Sequence, residues 1–290
     1  MRIPCVYFPS MERATVARRL TDIAASQWGM ITTAQARLHG VARANLAHRI
    51  RTGELERTDH HGVYRFTSAL SSPLDDLRAA WLSTNPEALA LERTKALPHE
   101  GVIASAAAAM VHGIGDVYPA PYRIIVPGRR QTTRGAIAYS WRALDPRDVE
   151  LVDGLPVTTR ERTIVDLLDD EGDISIAADA LRDAVRNNYD LDETRLAELL
   201  APRAERLGRP SGDGSAALAY LMVVAGIDAV SEASRAFDRL LASPPPLFGI
   251  EELISKVTAG MPALAGRLRV AGRAEDGGDG TKPGTPWHSS

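Results

Sequence analysis

The clearest structural signal in the sequence is the segment GMITTAQARLHGVARANLAHRIRTGELERTDHHGVYRF, which spans residues 29–66. Thr32 and Gln35 stand three positions apart, which is the spacing of a capping box at the start of a helix. The pattern predicts a short helix over Thr33 to His39, which Gly40 ends in a left-handed turn. Such a turn allows another helix to begin almost at once.

That next helix is predicted over Arg43 to Thr52, because Leu46 and Ile50 lie four residues apart and can pack inward together. A longer amphipathic helix over Glu12 to Gln27 precedes both, since apolar residues recur there at helical spacing. The remaining faces of the helix at residues 43–52 carry the polar side chains Asn45, His48, Arg49 and Arg51. The later helix therefore presents a polar and basic surface.

Two short strands are predicted after these helices, at Leu55 to Thr58 and at Gly62 to Phe66, with a turn at Asp59 to Gly62. Two short helices followed by a β-hairpin give the order of a winged helix-turn-helix, in which the later helix enters the major groove of DNA. The sequence therefore predicts a mixed α/β fold, with an N-terminal winged helix-turn-helix domain followed by a larger α+β domain.

Basic residues are concentrated in this N-terminal segment. Between Met30 and Phe66 there are six arginines and four histidines against three acidic residues, whereas the whole chain has a net charge of −3. The six arginines are Arg37, Arg43, Arg49, Arg51, Arg57 and Arg65. Because phosphate contacts supply most of the affinity of a DNA-binding protein, this distribution favours a role in holding double-stranded DNA.

We predict that nine residues contact DNA: Arg43, Asn45, His48, Arg49, Arg51, Arg57, His60, His61 and Arg65. Arginine and asparagine on a helix in the major groove make bidentate contacts with guanine and adenine edges. Two alternatives stay open at this point. Arg57 or Arg65 can instead pair with a glutamate across the hairpin, and the whole basic face can belong to a module that contacts only protein.

The predicted domain boundary is Ser71-Ser72-Pro73, which separates a winged-helix domain at residues 1–70 from an α+β domain at residues 71–271. A segment rich in glycine and charge at residues 272–290 is predicted to be a disordered tail. The predicted elements of the second domain are a helix at Leu74 to Leu82, strands at Val102 to Ala104, Tyr122 to Val126 and Ala136 to Trp141, and helices at Ser105 to His112, Ile176 to Val185, Asp192 to Leu200, Ala216 to Val224 and Ser231 to Leu241.

Two local signals stand out in the second domain. Gly128 to Arg130 forms a basic turn between two predicted strands, and its arginines would extend the positive surface if the domains fold that way. Thr158 and Glu161 again have capping-box spacing, which predicts that a helix begins directly after Thr158.

Several functional classes are excluded or disfavoured by the composition. Cys5 is the single cysteine, which excludes an internal disulfide and any zinc cluster built on cysteines. The first ten residues lack the apolar run of a secretory signal, and the stretch from Ala216 to Ile227 is too short to span a bilayer. We therefore expect a cytoplasmic protein.

The sequence offers little catalytic chemistry. His112 stands at a predicted helix end without an obvious partner, which is typical of a structural histidine. Asp166, Asp169 and Asp173 could gather a magnesium ion, although Asp166 lies in a helix that forms the core. We expect no enzymatic activity, no cofactor and no metal. A metal-dependent nuclease directed to DNA by the winged helix is the alternative.

The N-terminal segment resembles the first domain of the AbiEi-like antitoxins of bacterial toxin-antitoxin systems, through residues 29–36, 53–57 and 62–65. The second domain resembles the C-terminal antitoxin region of that family, through Ser105-Ala106-Ala107, His112 to Asp116, Gly154 to Thr159 and Arg162 to Leu167. The match covers roughly residues 12–200, and the arginine-rich, lysine-poor composition suits a mycobacterial member of its MenA group.

The resemblance implies a dual role. The winged helix would bind repeats in the promoter of its own operon and repress it, and the larger domain would help to counteract a nucleotidyltransferase toxin encoded beside it, directly or indirectly. The partners it implies are thus double-stranded DNA and that toxin. Residue patterns by themselves support only the DNA-binding half of this expectation.

Overall fold

The structure is a computed structural model that describes residues 9–129, 131–132 and 135–228, with side chains from residue 16 onwards. The chain divides into a compact unit at residues 1–231 and a second unit at residues 232–290. The part of the predicted second domain at residues 229–271, and the predicted tail at residues 272–290, lie outside the described residues.

Helices and strands alternate along the described chain. The helices are α1 (Pro9–Ala25), α2 (Thr33–Leu38), α3 (Arg43–Arg51), α4 (Asp75–Thr84), α5 (Ala90–Lys95), α6 (Ser105–His112), α7 (Arg160–Glu171), α8 (Ile174–Arg186), α9 (Glu193–Leu200) and α10 (Gly214–Ala225). The strands are β1 (Met30–Thr32), β2 (Leu55–Arg57), β3 (Val63–Phe66), β4 (Val102–Ile103), β5 (Tyr122–Val126), β6 (Ile137–Trp141), β7 (Val149–Val152) and β8 (Leu155–Thr158). The predicted mixed α/β class is confirmed.

The N-terminal helices α1 to α3 pack against a three-stranded antiparallel sheet with the strand order β1-β3-β2. The predicted helices and the two predicted hairpin strands are present, with ends that differ by no more than three residues. Strand β1, in which Ile31 pairs with Tyr64, was not predicted from the sequence. This strand is three residues long and buried throughout, so it has no alternation of polar and apolar residues by which a strand is recognised.

The capping box at α2 is confirmed. The backbone N–H of Gln35 donates to Thr32 Oγ1 at 3.0 Å, and the backbone N–H of Thr32 donates to Gln35 Oε1 at 3.0 Å. The chain then turns through Gly40, whose φ of +76° is a left-handed conformation that suits glycine. Leu46 of α3 is buried under this turn together with Leu20 and other apolar side chains of α1. The turn and this small core fix the angle between α2 and α3.

The second sheet has the strand order β6-β5-β4-β8-β7. Strand β5 runs parallel to β6, so the residues between them do not form a hairpin, and the predicted basic turn at Gly128 to Arg130 is part of a longer return connection. Arg129 is exposed in it, whereas Arg130 lies outside the described residues. Helix α4 covers one face of this sheet, and α6 packs beside β5 and β8.

The predicted capping box at Thr158 and Glu161 is wrong by one residue. Thr158 is the last residue of β8 and is buried, and the cap of α7 is Thr159, whose Oγ1 accepts from the Arg162 amide N–H at 3.4 Å. Glu161 instead accepts from the Asp192 amide N–H at 2.9 Å, which ties α7 to the start of α9. A residue pattern cannot distinguish two adjacent threonines when a strand runs directly into a helix.

The first sheet and the second sheet share one apolar core. Met30 and Val63 of the first sheet pack with Leu77 and Trp81 of α4, and all four are at most 1% exposed. Trp28 extends this contact, since its ring meets that of Trp81 edge-on with centroids 6.1 Å apart. The domain boundary near residue 70 stays a prediction, but the residues on either side of it are packed together.

A buried pair of amides strengthens this junction. Gln27 Nε2 donates to Gln35 Oε1 at 2.6 Å, and Gln35 Nε2 donates both to Gln27 Oε1 at 3.2 Å and to the carbonyl of Ala88 at 2.8 Å. The amide N–H of Ala90 donates to Gln27 Oε1 at 3.3 Å. We call these four residues the amide clamp. It fixes the start of α2 to the connection between α4 and α5.

We predict that Gln35→Leu destabilises the folded chain. Leucine leaves the half-buried Ala88 carbonyl and the buried Thr32 backbone N–H without these partners, and an unsatisfied buried group costs about 1–3 kcal/mol. The free energy of unfolding in urea measures the loss. Gln131→Leu, at an exposed glutamine, is the control and should change stability by less than about 0.5 kcal/mol. Equal stability of the two variants would contradict a role for the clamp.

Candidate nucleic-acid interface

A groove of about 490 Å³ runs between the starts of α2 and α3 and the turn of the hairpin. The residues that line it include Thr33, Arg43, Arg57, His61 and Tyr64. A neighbouring hollow of about 440 Å³ extends along the outer side of α2 and α3, and it shares Thr33 and Arg43 with the groove. Together they form a continuous concave surface that combines helix and hairpin side chains.

Six of the nine residues predicted to contact DNA are exposed in the structure. They are Arg43, Asn45, His48, Arg51, Arg57 and His61. Within the described part of the chain, the three arginines of this set have no acidic ion-pair partner within 4.0 Å. Arg51 Nη2 lies 2.9 Å from His48 Nδ1, and the Arg57 guanidinium lies 5.8 Å from the ring centre of Tyr64. Their positive charge is available to an external anion.

Arg49 lies outside the groove that Arg43 lines, on the side of α3 that also carries Asn45 and His48. Its guanidinium is 12% exposed and forms an ion pair with Glu54, which directly follows the turn at Gly53. With Asn45 and His48 it lines a separate hollow of about 340 Å³ beside α1. The structure therefore gives Arg49 a contact that anchors the end of α3 to the start of the hairpin.

Arg65 lies within the hairpin sheet rather than on its outer surface. Its Nε donates to Glu56 Oε1 at 2.7 Å across the β2–β3 pair, and its Nη1 donates to the carbonyl of Ala69 at 3.1 Å. The side chain is 16% exposed. This is the cross-strand pairing that the sequence left open for Arg57 or Arg65, and it is found at Arg65.

His60 is the predicted contact residue that the structure buries most deeply, with 4% of its surface exposed. Its Nε2 lies 3.1 Å from Asp76 Oδ1 at the start of α4. The neighbouring His61 is exposed in the groove. Two adjacent histidines in one turn thus have different surroundings, since one points to the second sheet and the other to solvent.

The groove is also lined by residues that were not among the predicted contacts. Thr33 and Ala34 lie at the first positions of α2, where they border both hollows. The sequence pattern assigned both residues to the helix only. Their position could have indicated them, since the first amide N–H groups of a helix have no partner within that helix. The Thr33 amide N–H is bonded to the carbonyl of Gly62 at 2.8 Å, so it is not open to an anion.

The three aspartates considered as magnesium ligands contact protein groups instead. Asp166 is fully buried and pairs with Arg142 and Arg162 at 2.6 and 2.8 Å. Asp169 pairs with Arg203 and Asp173 caps α8. Among the described residues, no group of three or more histidines, cysteines and acidic residues is placed to hold a metal ion. Burial raises the pKa of Asp166 to about 6 against the opposing effect of the two arginines.

His112 is buried at the end of α6, where its Nε2–H donates to the carbonyl of Thr158 at 2.7 Å. Burial lowers its pKa, although this hydrogen bond and the nearby Glu150 act in the opposite direction. The histidine thus links the end of α6 to the end of β8.

In the described part of the chain, no helix is both long and apolar enough to cross a membrane.

Comparison with known families adds to this geometry. Residues 18–67 match the family model described as "Transcriptional regulator, AbiEi antitoxin", and residues 100–208 match the model described as "AbiEi antitoxin C-terminal domain". The chain belongs to the AbiEi antitoxin family. The first match in this AbiEi antitoxin contains α2, α3 and the hairpin, and hence all the arginines and histidines that line the groove. The second contains the strands β4 to β8 and the helices α6 to α9.

Among solved structures, this AbiEi antitoxin is similar to the crystal structure of the RV2827C protein from Mycobacterium tuberculosis. The two share 20% sequence identity over 80% of this chain and 81% of the other, with a TM-score of 0.44. No curated protein matches the sequence.

We predict that the stability of this AbiEi antitoxin contains a contribution from Asp166 that falls as pH rises. The folded chain keeps the Asp166 proton up to about pH 6, whereas the unfolded chain loses it near pH 3.8. Between these values the folded state binds more protons, so a rise in pH favours unfolding. The difference in free energy of unfolding between the wild type and Asp166→Asn should therefore decrease over this range.

Asp173→Asn is the matched control, because hydrogen bonds from Ser175 lower the pKa of Asp173. Its difference from the wild type should change in the opposite direction and at lower pH. Urea unfolding at a series of pH values measures both. A difference for Asp166→Asn that is flat or rises with pH would contradict the assignment of a raised pKa.

Proposed function

We propose that this antitoxin is a sequence-specific double-stranded DNA-binding protein that represses its own promoter and counteracts a nucleotidyltransferase toxin encoded beside it, without catalysing a reaction itself. In this proposal α1 to α3 and the sheet β1-β3-β2 act as a winged helix-turn-helix in the cytoplasm, where the promoter is. Helix α3 lies in the major groove and the hairpin is the wing.

The proposal rests mainly on the groove, which is lined by arginines of both the helix and the hairpin that have no acidic ion-pair partner in the described part of the chain. Arg43 from the first turn of α3 and Arg57 from β2 line the same groove as His61 from the hairpin turn. Neither arginine has an acidic ion-pair partner within the described part of the chain. Cations on two separate elements that border one groove fit the phosphates on either side of a DNA groove.

The exposed residues divide into two roles by position. Arg43, Asn45 and His48 lie in the first two turns of α3, so we assign them to base edges, which arginine and asparagine can read in a bidentate manner. Arg51, Arg57 and His61 lie at the helix end and on the wing, so we assign them to phosphates. Arg49 and Arg65, which pair with Glu54 and Glu56, hold these elements in place.

The antitoxin half of the proposal rests on the second domain. Residues 100–208 match the C-terminal antitoxin model. Their helices α7 to α9 pack with α10 in a core that is separate from the one shared by the two sheets. We propose that this region counteracts the toxin, either by direct contact or by acting on the same target.

We predict that Arg43→Ala weakens binding to promoter DNA by about 1–3 kcal/mol and relaxes the preference at one base pair, as expected for a base contact. Arg57→Ala should weaken binding to all sequences about equally and make its salt dependence less steep, as expected for a phosphate contact. Titration of the purified chain onto labelled promoter DNA and onto scrambled DNA, at several salt concentrations, measures both effects.

Arg186→Ala is the matched control, because Arg186 is an exposed arginine at the end of α8, outside the groove. It removes the same charge and should leave DNA binding nearly unchanged. If all three variants lose the same affinity, the effect is one of net charge alone. If the unchanged chain prefers neither DNA and shows no salt-dependent binding, the DNA-binding proposal is wrong.

The two halves of the proposal should separate in one further variant. We predict that Arg43→Ala combined with Arg57→Ala abolishes repression of the promoter but still protects cells from the adjacent toxin, since both residues lie outside the region matched to the antitoxin domain. Reporter expression and growth rescue measure the two activities in parallel. Loss of protection at an unchanged level of folded protein would show that protection also requires DNA binding.

A further inference from the structure

A hydrogen-bonded cluster joins the wing turn to the second domain. Asp76, in the first turn of α4, contacts both His60 and Tyr122. His60 Nε2 lies 3.1 Å from Asp76 Oδ1, and the Tyr122 hydroxyl donates to Asp76 Oδ2 at 2.8 Å. The rings of His60 and Tyr122 lie 6.4 Å apart between centroids. We call these three residues the wing brace.

The brace attaches to elements that are packed in the core. Tyr122 is the first residue of β5, which is an inner strand of the five-stranded sheet. Asp76 lies in the first turn of α4, the helix that carries the buried Trp81. The carboxylate uses a different oxygen for each partner, so one side chain connects the wing to both α4 and β5. Burial and the hydrogen bond to Asp76 raise the pKa of the Tyr122 hydroxyl, which therefore stays protonated as a donor.

The opposite side of the same turn is attached to α2. The amide N–H of Thr33 donates to the carbonyl of Gly62 at 2.8 Å, and a φ of +78° at Gly62 directs the turn toward α2. The wing turn is thus held from two directions, by α2 and by the second domain. His61 lies between these attachments and faces the groove.

We infer that Asp76 and Tyr122 are positioning residues for the DNA interface, acting through His60 to hold the wing where His61 and Arg57 reach phosphate. This inference rests on the proposed function. It assigns to His60 a role in orienting the turn in place of a DNA contact. Asp76 and Tyr122 lie outside the residues 18–67 that match the regulator model, so the second domain takes part in DNA binding without touching DNA.

The physical reason is the entropy of the wing turn. A loop that is free to move must be ordered when it binds, and this ordering reduces the affinity that each contact provides. A turn that is already fixed by Asp76 and by Thr33 binds phosphate without that cost. Removal of one attachment should therefore weaken the binding of phosphate by the wing, and leave the binding of bases by α3 intact.

The test uses Tyr122→Phe in the full-length chain, because phenylalanine keeps the ring beside His60 and removes only the hydroxyl. Tyr118→Phe is the matched control, since Tyr118 is 90% exposed and outside the brace. Each protein is titrated onto a labelled duplex of its own promoter and onto scrambled duplex over a range of salt. The dependence of log Kd on log salt concentration reports how many phosphates are neutralised.

We expect the salt dependence of Tyr122→Phe to be less steep by about 0.9 for each phosphate that the wing no longer neutralises, with weaker binding to both duplexes and an unchanged preference for the promoter. Tyr118→Phe should match the wild type. An unchanged salt slope for Tyr122→Phe, while the wild type binds, overturns the inference alone. Absence of DNA binding by the wild type overturns the proposed function, and the inference with it.

A second pair of variants separates positioning from stability. Asp76→Asn and the double variant with Tyr122→Phe should reduce the salt slope by the same amount as Tyr122→Phe, because both act through one connection. Urea unfolding of each protein measures stability independently. If the two substitutions change the salt slope additively, they do not act through one connection and the positioning role is wrong. The positioning role is also wrong if Gln35→Leu, at a similar loss of stability, shows the same change in salt slope.

Discussion

The amide clamp is the interaction on which the arrangement of the basic groove depends. Gln27 and Gln35 are at most 1% exposed, and a buried amide is costly unless both its oxygen and its nitrogen have partners. Their partners come from the first residue of β1, from the cap of α2 and from the segment at residues 88–90. Because a buried amide group that loses its partner is left unsatisfied, these three parts of the chain are held as a unit.

Helix α2 is thereby held in place, and both α3 and the hairpin are attached to it. Its end is joined to α3 by the turn at Gly40, where the amide N–H of Val41 donates to the carbonyl of Ala36 at 2.8 Å. Its start is joined to the hairpin turn by the bond from Thr33 to Gly62. A short helix of six residues has little stability by itself. Its contacts with residues 86–88 compensate for its short length.

What could be predicted from the sequence was local. The capping box of α2 and the strands of the hairpin depend on neighbours within a few residues, and these predictions were correct. The amide clamp was not predicted, because Gln35 reaches Ala88 across 53 positions and nothing in the pattern connects them. The same limit applies to His60, whose partner Asp76 lies 16 positions away. A buried polar residue is recognisable only when its distant partner is known.

Counting charges identified a basic segment but not which of its arginines lack an acidic partner. Of the six arginines there, Arg37, Arg49 and Arg65 have acidic partners, and those pairs neutralise most of their field. Arg43, Arg51 and Arg57 have no such partner in the described part of the chain. The positive surface therefore comes from half of the arginines that the sequence supplies. The other half sets its shape, since an arginine held by a carboxylate fixes two backbone segments relative to each other.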